Sequence, residues 1–170
     1  GTVEANETVI LTVAAGTGYT VGAPASATGT ILNDDVPTAT ITVSPAAVAE
    51  DGAPNLVYTV TLNQASPTAL SINYTGGGTA INGTDYATIT SPLVIPVGNT
   101  TGTITVNPTA DATIEADETV ILTLAAGAGY TVSVPASATG TILNDDLPNL
   151  TINDVTANEG NAGITNFTFT

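Results

Sequence analysis

ETVILTLAAGAGYTVSVPASATGTILNDD occupies residues 118–146, and ETVILTVAAGTGYTVGAPASATGTILNDD occupies residues 7–35. Each copy opens on TVILT, where apolar and polar residues alternate with the period of a β-strand, and closes on a second such run, TGTIL. Between them lies a turn-rich segment around the motif A-G-x-G-Y-T-V. The match extends upstream: residues 1–35 align with 112–146 without a gap and agree at 28 of 35 positions. The differences, at residues 1, 3, 6, 13, 17, 22 and 23, are small or conservative, such as Val13 against Leu124. Self-similarity at a spacing of 111 residues predicts an array of like units.

A second match lies downstream. TITVSPAAVAEDG (40–52) resembles LTINDVTANEG (150–160), and LVYTVTL (56–62) resembles TNFTFT (165–170), with a two-residue gap that sets Glu159 opposite Glu50. The chain is therefore expected to hold one complete unit (37–147), the C-terminal part of an earlier one (1–36) and the N-terminal part of a later one (148–170). The two partial units lack a unit's middle strands, so they cannot make a whole one between them. The chain is expected to be a window on a longer array.

Within the complete unit, alternation and turn residues predict seven strands: A (39–43), B (56–62), C (69–74), D (93–97), E (102–107), F (119–124) and G (139–143). Gly98-Asn99 is expected to turn D tightly into E. No segment keeps a helical period. The expected fold is all-β, an immunoglobulin-like seven-stranded antiparallel β-sandwich repeated about every 111 residues. Thr supplies a fifth of the chain and only seven residues are aromatic, so the core must rest on Val, Ile, Leu and Ala. The recurring Thr-x-Thr pairs read as the solvent side of half-buried strands.

The 170 residues include 15 acids and no Lys, Arg or His. That excludes nucleic acid as a partner, since its affinity comes from cationic side chains neutralising phosphates. It argues equally against anionic membrane surfaces. No run is apolar enough to span a bilayer, and membrane insertion is not expected. The absence of Cys removes disulfides and zinc–thiolate sites. Without His, Lys or Cys the usual general base and nucleophiles are missing, and adjacent carboxylates on a strand point to opposite faces. No enzyme activity is expected.

In an antiparallel seven-strand sandwich the AB, CD and EF connections share one pole with the end of strand G. Glu50 and Asp51 fall in AB and Asp85 in CD. Asp111, Glu115, Asp117 and Glu118 fall in or beside EF, and Asp145 and Asp146 follow G. All nine acids of the complete unit thus gather at one pole. Two carboxylates about 4 Å apart repel by roughly 1 kcal/mol even at the dielectric of water. Nine of them without a basic residue call for dissolved cations, and oxygen-only ligation from flexible loops suits calcium.

The unit resembles the Calx-β domain of sodium–calcium exchangers and large bacterial surface proteins. The motifs that carry the resemblance are VAEDG (48–52), NGTDY (82–86), DATIEADETVILTL (111–124) and GTILNDD (140–146). It implies calcium as the cofactor, with Glu50, Asp85, Asp111, Glu115, Asp145 and Asp146 as ligands; Glu4, Asp34 and Asp35 correspond in the earlier unit. Two departures reduce the carboxylate count. Ala110-Asp111 stands where the exchanger-type pattern has paired aspartates, and Asn144-Asp145-Asp146 stands where it has three. Fewer carboxylates imply weaker binding, in the range of about 10⁻⁴–10⁻³ M of extracellular modules.

The function expected is that of a structural repeat in a secreted or cell-surface filament, stalk or adhesin spacer of bacterial origin. Calcium at the acidic pole would rigidify the step to the next unit, and the partners would be neighbouring repeats or identical subunits end to end. The alternatives are an acidic spacer without metal, or an adhesive or glycan-binding module using the FG loops and their matching Tyr19 and Tyr130. Six sequons, at Asn6, Asn73, Asn82, Asn99, Asn149 and Asn166, offer sites for glycans.

Overall fold

The computed structural model describes residues 1–51, 53–158 and 160–170. Glu159, paired with Glu50 in the sequence comparison, and Gly52 of the VAEDG motif lie outside the described residues. The strands, in chain order, are β1 (Glu7–Thr12), β2 (Ser26–Ile31), β3 (Thr38–Val43), β4 (Ala47–Ala49), β5 (Leu56–Leu62), β6 (Leu70–Ile72), β7 (Tyr74–Gly78), β8 (Leu93–Ile95), β9 (Thr101–Val106), β10 (Glu118–Leu124), β11 (Thr131–Val132) and β12 (Ser137–Leu143).

From β3 to β12 the strands build a sandwich. One sheet has the order β11-β3-β5-β9 and the facing one β4-β12-β10-β7; the pair β6-β8 lies beside β9. Period-two patterning explains which side of each strand turns inward. In LVYTVTL of β5, Leu56, Tyr58, Val60 and Leu62 are buried; in ETVILTL of β10, Val120, Leu122 and Leu124 are. Tyr58 joins the two sheets. Its hydroxyl donates to the Val120 carbonyl at 2.7 Å and accepts from the Gly140 amide at 3.0 Å. A Cβ on Gly140 would sit 2.7 Å from Leu56 Cδ1 and 2.8 Å from the Tyr58 hydroxyl, so the glycine makes the close approach of β12 to β5 possible.

Each of the seven expected strands is present, and three are divided. Strand A changes sheets at Ser44-Pro45: β3 pairs with β5, whereas β4 runs parallel to β12. Strand G is divided likewise, with β11 parallel to β3 and β12 antiparallel to β10. These two parallel pairings depart from the purely antiparallel arrangement expected. Strand C is divided into β6 and β7, and it continues through the glycine run Gly76–Gly78 to pair with Leu122–Val120. The turn at Gly98-Asn99 forms, with the Asn99 amide donating to the Pro96 carbonyl at 3.1 Å. The strands it joins are not hydrogen-bonded partners, however, because β8 pairs with β6 and β9 with β5.

Before the sandwich, β1 and β2 form a separate antiparallel hairpin. Its register, Glu7↔Ile31 to Thr12↔Ser26, is that of Glu118↔Ile142 to Thr123↔Ser137 shifted by the repeat. Beyond residue 147 no strand forms among the described residues. There the Asn153 amide donates to the Thr170 carbonyl at 3.3 Å, and Leu150 and Ile152 are exposed.

Candidate metal centre

The sheet pairings decide which loops meet. Because β4 runs parallel to β12, the residue after β4 arrives beside the end of β12, and the Glu50 amide donates to the Leu143 carbonyl at 3.0 Å. Because β7 is antiparallel to β10, the chain leaving Gly78 emerges where β10 begins and leads into the loop of Asp85. The chain from β9 to β10 crosses the same end with Asp111, Glu115 and Asp117, and Asn144-Asp145-Asp146 leaves from β12. The acids of residues 37–147 lie at this one end.

At its centre Glu50, Asp85, Glu115 and Glu118 line a cavity with Ala116, Ile142 and Asn144. The cavity has a volume of about 10 Å³, room for one water or an ion of similar size. Glu50 is only 6 % exposed. Burial, and then the carboxylates of Asp111, Asp146, Glu115 and Asp145, push its carboxyl above the ordinary value. Glu118 is raised too, first by burial and then by Asp85. Every carboxylate implied as a ligand in this unit therefore acts on Glu50 or Glu118. Glu118 and Asn144, which line the cavity, are outside the implied set; Glu118 opens a strand, and Asn144 is a neutral amide.

The other loop acids are held from within. Asp85 Oδ2 accepts from the Ile81 amide at 2.6 Å, and Asp111 Oδ1 accepts from the Thr113 amide at 2.6 Å. Asp146 Oδ2 is buried and without a hydrogen-bond donor. In the hairpin before the sandwich, Glu4, Asp34 and Asp35 line a second cleft with Glu7 and Asn33. Among the described residues no three acidic side chains are gathered so that they could hold a metal as they stand. The chemistry of the donors fits a hard cation all the same: they are oxygens alone, one carboxylate oxygen is buried without a partner, and no cationic side chain competes.

The Calx-beta domain model matches residues 33–146. The chain belongs to the Calx-beta family. Among solved structures it is similar to CBD12 from CALX1.2, at 27% identity and a TM-score of 0.52, over 63% of this chain and 46% of that one. The chain thus spans under half of that relative. It is similar also to the apo-form Calx CBD1 domain, at 27% identity and a TM-score of 0.52, over 64% of this chain and 98% of that one. A third relative is described as the calcium binding domain CBD12 of CALX1.1, at 28% identity and a TM-score of 0.52, over 62% of this chain and 44% of that one. No curated protein matches.

Other sequence features of this Calx-beta chain find structural roles. Tyr130 is 4 % exposed; its hydroxyl donates to the Ala125 carbonyl at 2.7 Å and accepts from the Asn73 amide at 2.9 Å. A Cβ on Gly127 would lie 2.6 Å from the Tyr130 ring, so A-G-x-G-Y is a turn closed by its own tyrosine. Of the sequon residues, Asn82 bonds both backbone groups of Ile89 at 3.0 Å, and Asn73 donates to the Ala126 carbonyl at 3.2 Å. No helix among the described residues is long and apolar enough to cross a membrane.

Proposed function

We propose that the chain is a stretch of a tandem Calx-beta array that serves as a structural spacer in a secreted or cell-surface bacterial filament, stalk or adhesin, with calcium at the acidic end of each unit. In this reading residues 37–147 are one unit, and 1–36 and 148–170 belong to its neighbours. The partners are neighbouring repeats or identical subunits end to end, and the chain performs no catalysis. One observation carries the proposal: a hairpin with the same register recurs 111 residues away, and each copy brings its acids to the point where the chain passes on to the next segment.

Glu50, Asp85, Asp111, Glu115, Asp145 and Asp146 would hold calcium in the complete unit, and Glu4, Asp34 and Asp35 would contribute in the earlier one. The ion supplies positive charge to an end that has none of its own. The chain's part is to present oxygen ligands from loops that also determine its exit path. Tyr130, which an adhesive FG surface would display, is buried, and this favours the spacer over the adhesive reading.

The test is thermal unfolding of the chain in millimolar calcium and in excess chelator. A ligand at ten times its Kd stabilises by about 1.4 kcal/mol, so Tm should rise by several degrees with calcium. The rise should vanish in Asp145→Asn/Asp146→Asn. An unchanged Tm in the unsubstituted chain sinks the calcium part and leaves an acidic spacer.

A further inference from the structure

Asn144 stands at the first position of the exit triplet Asn144-Asp145-Asp146. Its backbone amide donates to Asp117 Oδ1 at 3.1 Å. Its Oδ1 accepts from the Glu115 amide at 3.1 Å, and its Nδ2 donates to the Asp146 carbonyl at 3.1 Å. Two of these bonds fasten the chain leaving β12 to the loop that precedes β10, and the third folds the exit segment back on its own asparagine. The earlier copy repeats them. The Asn33 amide donates to Asn6 Oδ1 at 2.9 Å, Asn33 Oδ1 accepts from the Glu4 amide at 3.3 Å, and Asn33 Nδ2 donates to the Asp35 carbonyl at 2.7 Å.

Position 6 differs from its counterpart 117, Asn against Asp, and the bond survives because only an Oδ1 acceptor is needed. The asparagine itself is not replaceable in this way. An aspartate could accept from the Glu115 amide but has no hydrogen to give the Asp146 carbonyl, and would set oxygen against oxygen there.

The consequence reaches the next unit. Asn33 holds the carbonyl of Asp35. Two residues later Pro37 is fully buried in the sandwich, and its carbonyl accepts from the Thr131 amide at 2.9 Å. Thr38 follows, its amide bonded to Asn63 Oδ1 at 2.7 Å. Only Val36 lies free between the two anchors, which leaves the joint the soft dihedrals of about one residue.

We infer that Asn33 and Asn144 are positioning residues that clamp the exit of each unit without metal, so that hydrogen bonds set the direction of the array. The clamp rests on the tandem-array reading but not on calcium.

The experiment is amide hydrogen exchange by NMR on the whole chain in excess chelator, for the unsubstituted protein, Asn144→Ala and Asn144→Asp, with Asn33→Ala as the parallel case. In the unsubstituted chain the Glu115 and Asn144 amides should exchange at least tenfold more slowly than unstructured ones. Asn144→Ala should bring Glu115 to the unstructured rate. Asn144→Asp should keep Glu115 protected yet lower the heteronuclear NOE of Asp145, Asp146 and Leu147, because only the Nδ2 bond is lost. Asn33→Ala should lower it at Asp34–Val36. Unstructured rates at Glu115 and Asn144 in the unsubstituted chain overturn the clamp, as does Asn144→Ala leaving Glu115 protected. Calcium is absent from these samples, so failure of the calcium reading, seen in the melting experiment, is a separate result.

Discussion

The β1–β2 and β10–β12 hairpins have nearly the same sequence and the same register, yet they differ in what covers them. Val120 and Leu122 are completely buried, whereas Val9 and Leu11, their counterparts, are 47% and 72% exposed. Tyr130 is 4 % exposed and Tyr19 55 %. Both tyrosines still fold back on their own turn, with the Tyr19 hydroxyl 2.6 Å from the Ala14 carbonyl. The hairpin, its turn and its exit clamp are thus local products of the sequence. The core is not local: it appears only where β3 and β5 lie across the apolar face.

Paired substitutions sharpen this contrast. The largest difference is expected for Leu122→Ala against Leu11→Ala. The first leaves a cavity in the core and should destabilise the sandwich by about 3 kcal/mol. The second should leave its unfolding within roughly 0.5 kcal/mol. Chemical denaturation of both variants would measure the gap, and equal losses would show that β1–β2 is part of the same cooperative core.

Next comes Gly140→Val against Gly29→Val. A side chain at Gly140 runs into Leu56 and the Tyr58 hydroxyl, while nothing lies within 4 Å of one at Gly29. Overpacking should lower stability by about 2 kcal/mol in the first case and have no measurable effect in the second. Tyr58→Phe should follow, at about 1–2 kcal/mol, because it leaves the buried Gly140 amide without its acceptor.

The smallest effect concerns the acidic end. Glu50 and Glu118 have folded-state values raised above the ordinary 4.5. Above that value the unfolded chain ionises these groups first, so the calcium-free fold loses stability as pH rises. Melting curves in chelator should therefore show Tm rising modestly as pH is lowered from about 7 towards 5. Under the calcium reading, saturating calcium should flatten that slope. A Tm that falls steadily over this range in chelator would show that neither group carries the burial penalty.

Much of the site's location was legible in the chain. Loop parity placed the acids at one end, and the divided strands A and G did not disturb that result because each piece keeps its direction. The divisions themselves were not legible. Ser44-Pro45 marks a break in strand A, but not that the chain resumes in the opposite sheet. The Gly76–Gly78 run has no side-chain alternation to announce a strand; it is one because β10 offers a backbone ladder to pair with. Glu118 is expected in or beside the EF connection, and the fold makes it the first residue of β10 and brings it to the cavity with Glu50 and Asp85. Asn144 counted in the sequence as a missing carboxylate, whereas its two-sided amide is what the exit uses.

By itself the sequence determined the repeat, the alternation that gives each strand an apolar face, and an end of the molecule rich in negative charge. Those are properties of short-range patterning and of where acids fall relative to turns. The tertiary structure alone decided which strands would cover the β10–β12 hairpin, that Glu50 would be buried among like charges, and that one residue would separate successive anchors. The physical reason is that periodicity says which face is apolar but not what covers it, and a carboxylate's burden depends on neighbours brought from distant parts of the chain.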